Sequence, residues 1–149
     1  MSTSIHRSAR VPRAGVDPIT DHATALALLG VAACPTRHET ILVLLDDARR
    51  GLGLVVVTGT VDPDAVVEVA DRVLDPAAHD GCVAAVVVAT VRPPDGDVHG
   101  ARGDDLGDAD RWLELDDVAR RAGVRLVEWY VLGGGLSLPR ELVNAPPRW

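Results

Sequence analysis

The sequence predicts an α/β (α+β) fold, a single mixed β-sheet flanked by helices in the order α-β-β-α-β-α-β. Three observations predict it. Residues 83–89 carry no charge and are dominated by valine, the signature of a strand buried on both faces. Two stretches on either side of that strand, 62–75 and 104–121, repeat apolar residues at helical spacing. The chain has 149 residues, enough for one domain that buries roughly two thirds of its unfolded surface without disulfides or metals.

Composition narrows the functional classes. Apolar residues make up 47% of the chain and aromatics only 3%, with no Phe, so the core must be built from Val, Leu and Ala. Every basic side chain of the Lys/Arg type is Arg, and the net charge is −7. That charge makes the folded body a poor partner for nucleic acid, whose binding rests on neutralising phosphates. Cys34 and Cys82 lack metal-ligand spacing and read as buried or half-buried free thiols of a reducing compartment. No run of uncharged residues reaches membrane-spanning length and the N-terminus lacks the apolar core of a signal peptide, so a cytoplasmic protein is expected.

Taken in order, residues 1–16 hold His6, Arg7, Arg10 and Arg13 without an acid or a period, and read as a basic, mobile arm. The domain proper is expected over 17–143, with a tail at 144–149. Thr20 or Asp21 is placed to cap an Ala/Leu helix that Pro35 closes. Gly30 weakens that helix and marks close packing against a neighbour. Residues 39–45 are a buried strand, and the short link at 46–53 turns it into an antiparallel hairpin with a strand at 54–58. Gly51 and Gly53 are expected to supply the positive backbone angles of the turn.

Asp62-Pro63-Asp64 then opens a helix with an acid at the cap, Pro at the first position and a second acid in the first turn. Val66, Val69, Ala70, Val73 and Leu74 form its apolar face, and Asp75-Pro76 is expected to end it. This crossover helix predicts that the valine-rich strand joins the hairpin by parallel pairing. The next helix buries Leu106, Ala109, Trp112, Leu113, Val118 and Ala119, with Asp104, Asp105 and Asp108 at its start and Arg120 and Arg121 at its end, as the helix dipole favours. Gly123 caps it, residues 124–132 form the last strand, and Gly133 to Gly135 lead into the tail. Trp112, Trp129 and Tyr130 belong mainly to the core.

Ligands of open α/β sheets collect beyond the carboxyl ends of the strands, which directs attention to residues 90–105. That segment contains no histidine pair, cysteine or lysine. Thr90, Arg92, Asp95, Asp97 and Asp105 are the groups a binding groove could use there.

Glu39 heads the first strand. Leu44-Leu45-Asp46 with Arg49 or Arg50 ends it, and Gly59-Thr60 follows the second. The valine-rich strand runs into Pro94-Asp95-Gly96, Asp104 precedes the next helix, and Gly123-Val124-Arg125-Leu126 enters the last strand. On these residues the chain resembles the JAB/MPN metalloprotease fold, of cytidine-deaminase-like architecture, and most closely its RadC-type bacterial branch, over roughly residues 20–132. The family signature is a strand ending His-x-His-Pro-Ser-Gly, a Ser-x-x-Asp at the following helix and a glutamate base on the first strand. In this register Val91 and Pro93 stand at the two histidine positions, Ala101 at the serine, Asp104 at the third ligand and Glu39 near the base. Zinc needs about three protein ligands and an open position. The resemblance therefore implies a domain that kept the scaffold and lost the metal chemistry, with no cofactor. Glu39, His99 and Asp104 are the remaining catalytic candidates. There is no room before residue 20 for the helix-hairpin-helix region common in RadC-type proteins, so no direct DNA role is implied.

Three readings follow. The first is a non-catalytic module that binds a protein or peptide beside the central strand, with a homodimer as one possible assembly. The second is a hydrolase that places Mg²⁺ or Mn²⁺ with Asp95, Asp97, Asp104, Asp105 and Asp108, His99 serving as base. The third is a nucleotide- or metabolite-sensing α/β domain that contacts its ligand through Gly133 to Gly135.

Overall fold

Strand β1 (Glu39–Leu45) lies inside the sheet, second from one edge. It pairs antiparallel with β2 (Gly51–Thr58) on one side and with β3 (Ala85–Arg92) on the other. β3 pairs in parallel with β4 (Arg125–Gly133), and β4 pairs antiparallel with β5 (Leu136–Pro139), giving the order β2-β1-β3-β4-β5. Helix α1 (His22–Ala32) packs on one face of the sheet, and α2 (Pro63–Asp80) and α3 (Ala109–Arg121) pack on the other. This computed structural model describes residues 10–34, 36–93, 109–133, 136–139 and 149.

The mixed α/β class and the single sheet are as expected, but the pairing of the valine-rich strand is not. β3 lies antiparallel beside β1. The α2 crossover still joins strands that run the same way, because β2 and β3 flank β1 from opposite sides. A crossover fixes relative direction and leaves open whether a strand is skipped.

Local chemistry explains most of the remaining differences. α1 starts at Asp21, whose carboxylate accepts the Thr24 N–H at 2.7 Å. A Cβ on Gly30 would meet nothing within 4 Å, so that glycine marks no close packing. In the hairpin the positive φ falls on Arg49 (64°), not on Gly51 or Gly53, which are already in β2. The turn closes early because the Asp46 carboxylate accepts the N–H groups of Ala48 and Arg50, at 2.9 and 2.8 Å. α2 begins as the sequence predicts, with Asp62 accepting the Asp64 N–H, but runs through Pro76 to Asp80. Pro76 is exposed, and the helix ends where Gly81 adopts a left-handed φ of 65°.

α3 buries Trp112, Leu115, Val118 and Ala119, whereas Leu113 is half exposed and turned from the sheet. Leu115, one turn before Ala119, completes the stripe in its place. The arm is not free along its described part. Arg13 pairs with Asp17, and the Gly15 N–H donates to the Gly51 carbonyl. Cys34 is half-buried, but Cys82 is exposed.

β5 was not foreseen, since Gly133 to Gly135 reads as a lead into a tail. Gly133 is the last residue of β4 and pairs with Leu136 at the start of β5. Gly133 also has a packing reason: a Cβ there would stand 2.7 Å from the Arg92 carbonyl oxygen on β3. Of the glycine stretch, residues 134 and 135 lie outside the described residues.

Side chains alternate between the two faces along β1 and β3, both of which are buried almost throughout. Ile41, Val43, Leu45, Ala85, Val87, Ala89 and Val91 face α1, while Leu42, Val86 and Val88 face α2 and α3. In β4 the alternation slips by one residue. Val86 pairs with Leu126 and Val87 with Glu128, so Val127 is an inserted bulge residue. The bulge sends Leu126 and Trp129 to one face, three residues apart, and Val127 and Tyr130 to the other.

Candidate functional site

The carboxyl end of β3 is where the topology concentrates polar groups, and they divide between the two faces. On the α2/α3 face, Thr40 and Thr90 are paired neighbours on β1 and β3 and both are fully buried. The Thr40 hydroxyl donates to Thr60 Oγ1 at 2.8 Å, and Trp129 Nε1 donates to Thr90 Oγ1 at 2.8 Å. Each bond closes a buried polar group that would otherwise cost about 1–3 kcal/mol. Thr90 is therefore interior structure and does not line a groove. Arg92, two residues on, is half-buried and reaches the Val61 carbonyl through Nη2 at 3.2 Å and the Val91 carbonyl through Nη1 at 3.1 Å. Its buried Nε has no hydrogen-bond partner among the described residues.

This arginine sets the electrostatics of the rim. Burial lowers its own pKa, and His38 is lowered first by burial and then by the Arg92 charge. Arg111 Nη1 bridges Asp64 at the start of α2 and Glu114 on α3, tying the two helices together beside the rim.

The α1 face carries the other groups. Glu39 is buried, and Cα pairing sets it opposite Val91, which is equally buried. Directly paired residues of antiparallel strands share a face, with Cβ atoms about 5 Å apart. The Glu39 carboxylate accepts the Cys34 N–H at 2.6 Å, closing the loop that follows α1. Val91 and Pro93 offer no donor atom to a metal. Further along this face the Tyr130 hydroxyl stands 2.5 Å from His22 Nδ1, and Trp149 Nε1 lies 3.1 Å from the same nitrogen. The imidazole meets both rings nearly edge-on. Burial, then the Glu128 charge, push the Tyr130 hydroxyl well above its usual pKa; Trp149 opposes the shift and Asp21 adds to it.

The structure thus brings Glu39, Val91, Thr90 and Arg92 to one end of the sheet and separates them by face. Asp95, Asp97, His99, Asp104, Asp105 and Asp108 lie outside the described residues. Among the described residues no three His, Cys, Asp or Glu side chains are placed to hold a metal ion, and no helix is long and apolar enough to cross a membrane. Sequence reasoning missed the Thr40–Thr60 bond and the His22–Tyr130–Trp149 cluster. A threonine at the head of a strand signals neither, and residues 108 and 127 apart in sequence come together only through the fold.

No protein-family model matches the chain, and no curated protein matches it significantly.

Proposed function

We propose that this chain is a RadC-like JAB/MPN domain that has lost its zinc site and acts as a protein- or peptide-binding module. The observation that carries the reading is the pairing of Glu39 with Val91. The resemblance calls for a glutamate base on the first strand and puts a zinc-binding histidine at the position of Val91. Here the two positions are neighbours on one face, but the ligand position is a valine packed into the core. The second ligand position, Pro93, has no donor, and the glutamate is held on a backbone N–H. A carboxylate engaged in closing a loop is a structural group. The antiparallel hairpin, the crossover helix and a third strand beside β1 are consistent with the scaffold.

What remains at the rim is hydrogen-bonding capacity. Arg92, half-buried beside Val61 and the start of α2, presents a guanidinium that suits the carbonyl or carboxylate acceptors of an extended peptide. The test has two arms. Elemental analysis of protein purified without chelator should show no stoichiometric zinc. Panning a random peptide library on the immobilised domain should enrich peptides whose binding is lost in Arg92→Glu at unchanged circular dichroism. Stoichiometric zinc, or hydrolysis of the enriched peptides, would overturn the reading.

A further inference from the structure

His22 Nδ1 is the point on which three distant parts of the chain converge. The ring stands at the first position of α1, the Tyr130 hydroxyl on β4 is 2.5 Å from this nitrogen, and Trp149 Nε1 donates to it at 3.1 Å. Both aromatic rings meet the imidazole nearly edge-on, at centroid distances of 5.7 and 5.8 Å. Trp149 is half-buried and packs against the core of the α1 face, whereas His22 itself is exposed and open to protons from solvent.

The partners fix the protonation state of the ring. An indole N–H donates and has no acceptor atom, so Nδ1 must offer its lone pair and the proton of the neutral ring sits on Nε2. A proton added to Nδ1 sets N–H against N–H, and the indole has no way to turn that contact into a bond. Tyr130 does: its hydroxyl rotates from donor to acceptor and holds the imidazolium. One protonation thus separates the two partners, losing Trp149 and keeping Tyr130.

Few charges surround the ring among the described residues. α1 brings Asp21, whose carboxylate is held on the Thr24 N–H. β4 brings Glu128, whose carboxylate accepts the Trp129 N–H, and Arg125 at its exposed start. On the same face β1 and β3 are apolar except for Glu39, which is engaged with the Cys34 N–H. Trp149 has no ionisable side chain. Asp21 and Glu128 favour a charged imidazole, and the seated indole opposes one. Histidine is the side chain whose ordinary change of charge falls between about pH 5 and 8. From this geometry we infer that Trp149 is a pH-operated latch on the α1 face. It is seated on neutral His22 and released when the ring takes up a proton at Nδ1, which uncovers His22, Tyr130 and the apolar surface under the indole.

The test is a titration of the full chain from pH 8 to pH 5, followed by the side-chain N–H resonance of Trp149, which is assigned by its loss in Trp149→Phe. The expected result is that this resonance moves, as the pH falls, from a seated position to the one it holds in His22→Phe, whose ring has no acceptor and leaves the indole free at every pH. His22→Asn, with an amide oxygen that reaches the place of Nδ1 and does not titrate, should keep the seated position throughout. His38→Gln should titrate as the wild type does, since His38 lies beside Arg92 and outside this cluster. A wild-type resonance that stays in place from pH 8 to pH 5 overturns the inference. So does one that already coincides with His22→Phe at pH 8, or one that shifts equally in His22→Asn. Should a variant misfold, the wild type decides: the Trp149 resonance and the His22 ring resonances must move together, and separate midpoints overturn the proposal.

Discussion

The two faces of this sheet are finished to different standards. The α2/α3 face is roofed by two helices, and its buried threonine hydroxyls are spent internally, Thr40 on Thr60 and Thr90 on Trp129, while Arg92 at the rim keeps a buried Nε without a partner among the described residues. The α1 face has one eleven-residue helix over five strands. It is closed in part by Glu39 on the Cys34 N–H and by Trp149 beside His22, and Leu52, Leu54 and Val56 at its β2 margin stay exposed among the described residues. One sheet thus provides a sealed core on one side and an adaptable surface on the other. Stability should concentrate on the first face, at whose rim Arg92 supplies the proposed recognition group.

Chemical denaturation of single variants can break or sharpen that contrast. The largest loss is expected for Trp129→Ala on the sealed face, about 3–5 kcal/mol, because it opens a cavity and strips the buried Thr90 hydroxyl of its donor. A loss under about 1 kcal/mol would mean this face is no better packed than the other. Gly133→Ala should cost about 1–3 kcal/mol, since its Cβ collides with the Arg92 carbonyl and β3 and β4 must part to admit it. On the α1 face Glu39→Ala is expected to lose about 1–3 kcal/mol and Glu39→Gln under about 1 kcal/mol, because the amide oxygen still accepts the Cys34 N–H. Equal losses in the two variants would show that the charge matters and that a backbone cap is not the role of this residue.

His38 gives a pH signature at the rim. Its pKa is lowered in the folded protein, so around pH 6.5 the unfolded chain binds more protons. Its contribution is intact above about pH 6.5 and is lost as the pH falls towards the folded value. The slope is bounded by one proton, about 1.4 kcal/mol per pH unit, and should be a fraction of that at this half-buried site. Melting temperatures between pH 7.5 and 5 should fall in the wild type and flatten in His38→Gln. Asp21 and Asp46, both lowered by hydrogen bonds, lose their contributions only below about pH 4 and do not confuse the comparison. The smallest effect is a gain: Gly30→Ala on the outer surface of α1 should add about 0.5–1 kcal/mol, visible as a raised melting temperature.

Much of this architecture is written locally. Asp21 and Asp62-Pro63 announce helix starts through the hydrogen bonds and backbone angles their side chains favour, and Gly123 announces a helix end because, lacking a Cβ, it adopts a positive φ freely. The valine run announces a strand covered on both faces, and Pro93-Pro94 its end. The structure departs from the sequence reading where two local signals competed and the stronger one won. Asp46 closed the hairpin turn before the glycines could, α2 ran past Pro76 to a better cap at Gly81, and Leu113 ceded its place to Leu115. Of the candidate site, Glu39 and Arg92 are visible as chargeable residues at strand ends. Their segregation to opposite faces follows from alternation along paired strands.

By itself the sequence determined which segments are helix and strand, β5 excepted, that they form a mixed α/β domain, and that Val91 and Pro93 cannot ligate a metal. Only the tertiary structure decided that β3 lies antiparallel against β1, that Val127 bulges so that Trp129 and Tyr130 part to opposite faces, and that His22 meets Tyr130 and Trp149. The reason is physical. Helix caps and apolar periods are satisfied within a few residues of chain, whereas strand order, register and side-chain pairs more than a hundred residues apart are chosen by which surfaces bury together.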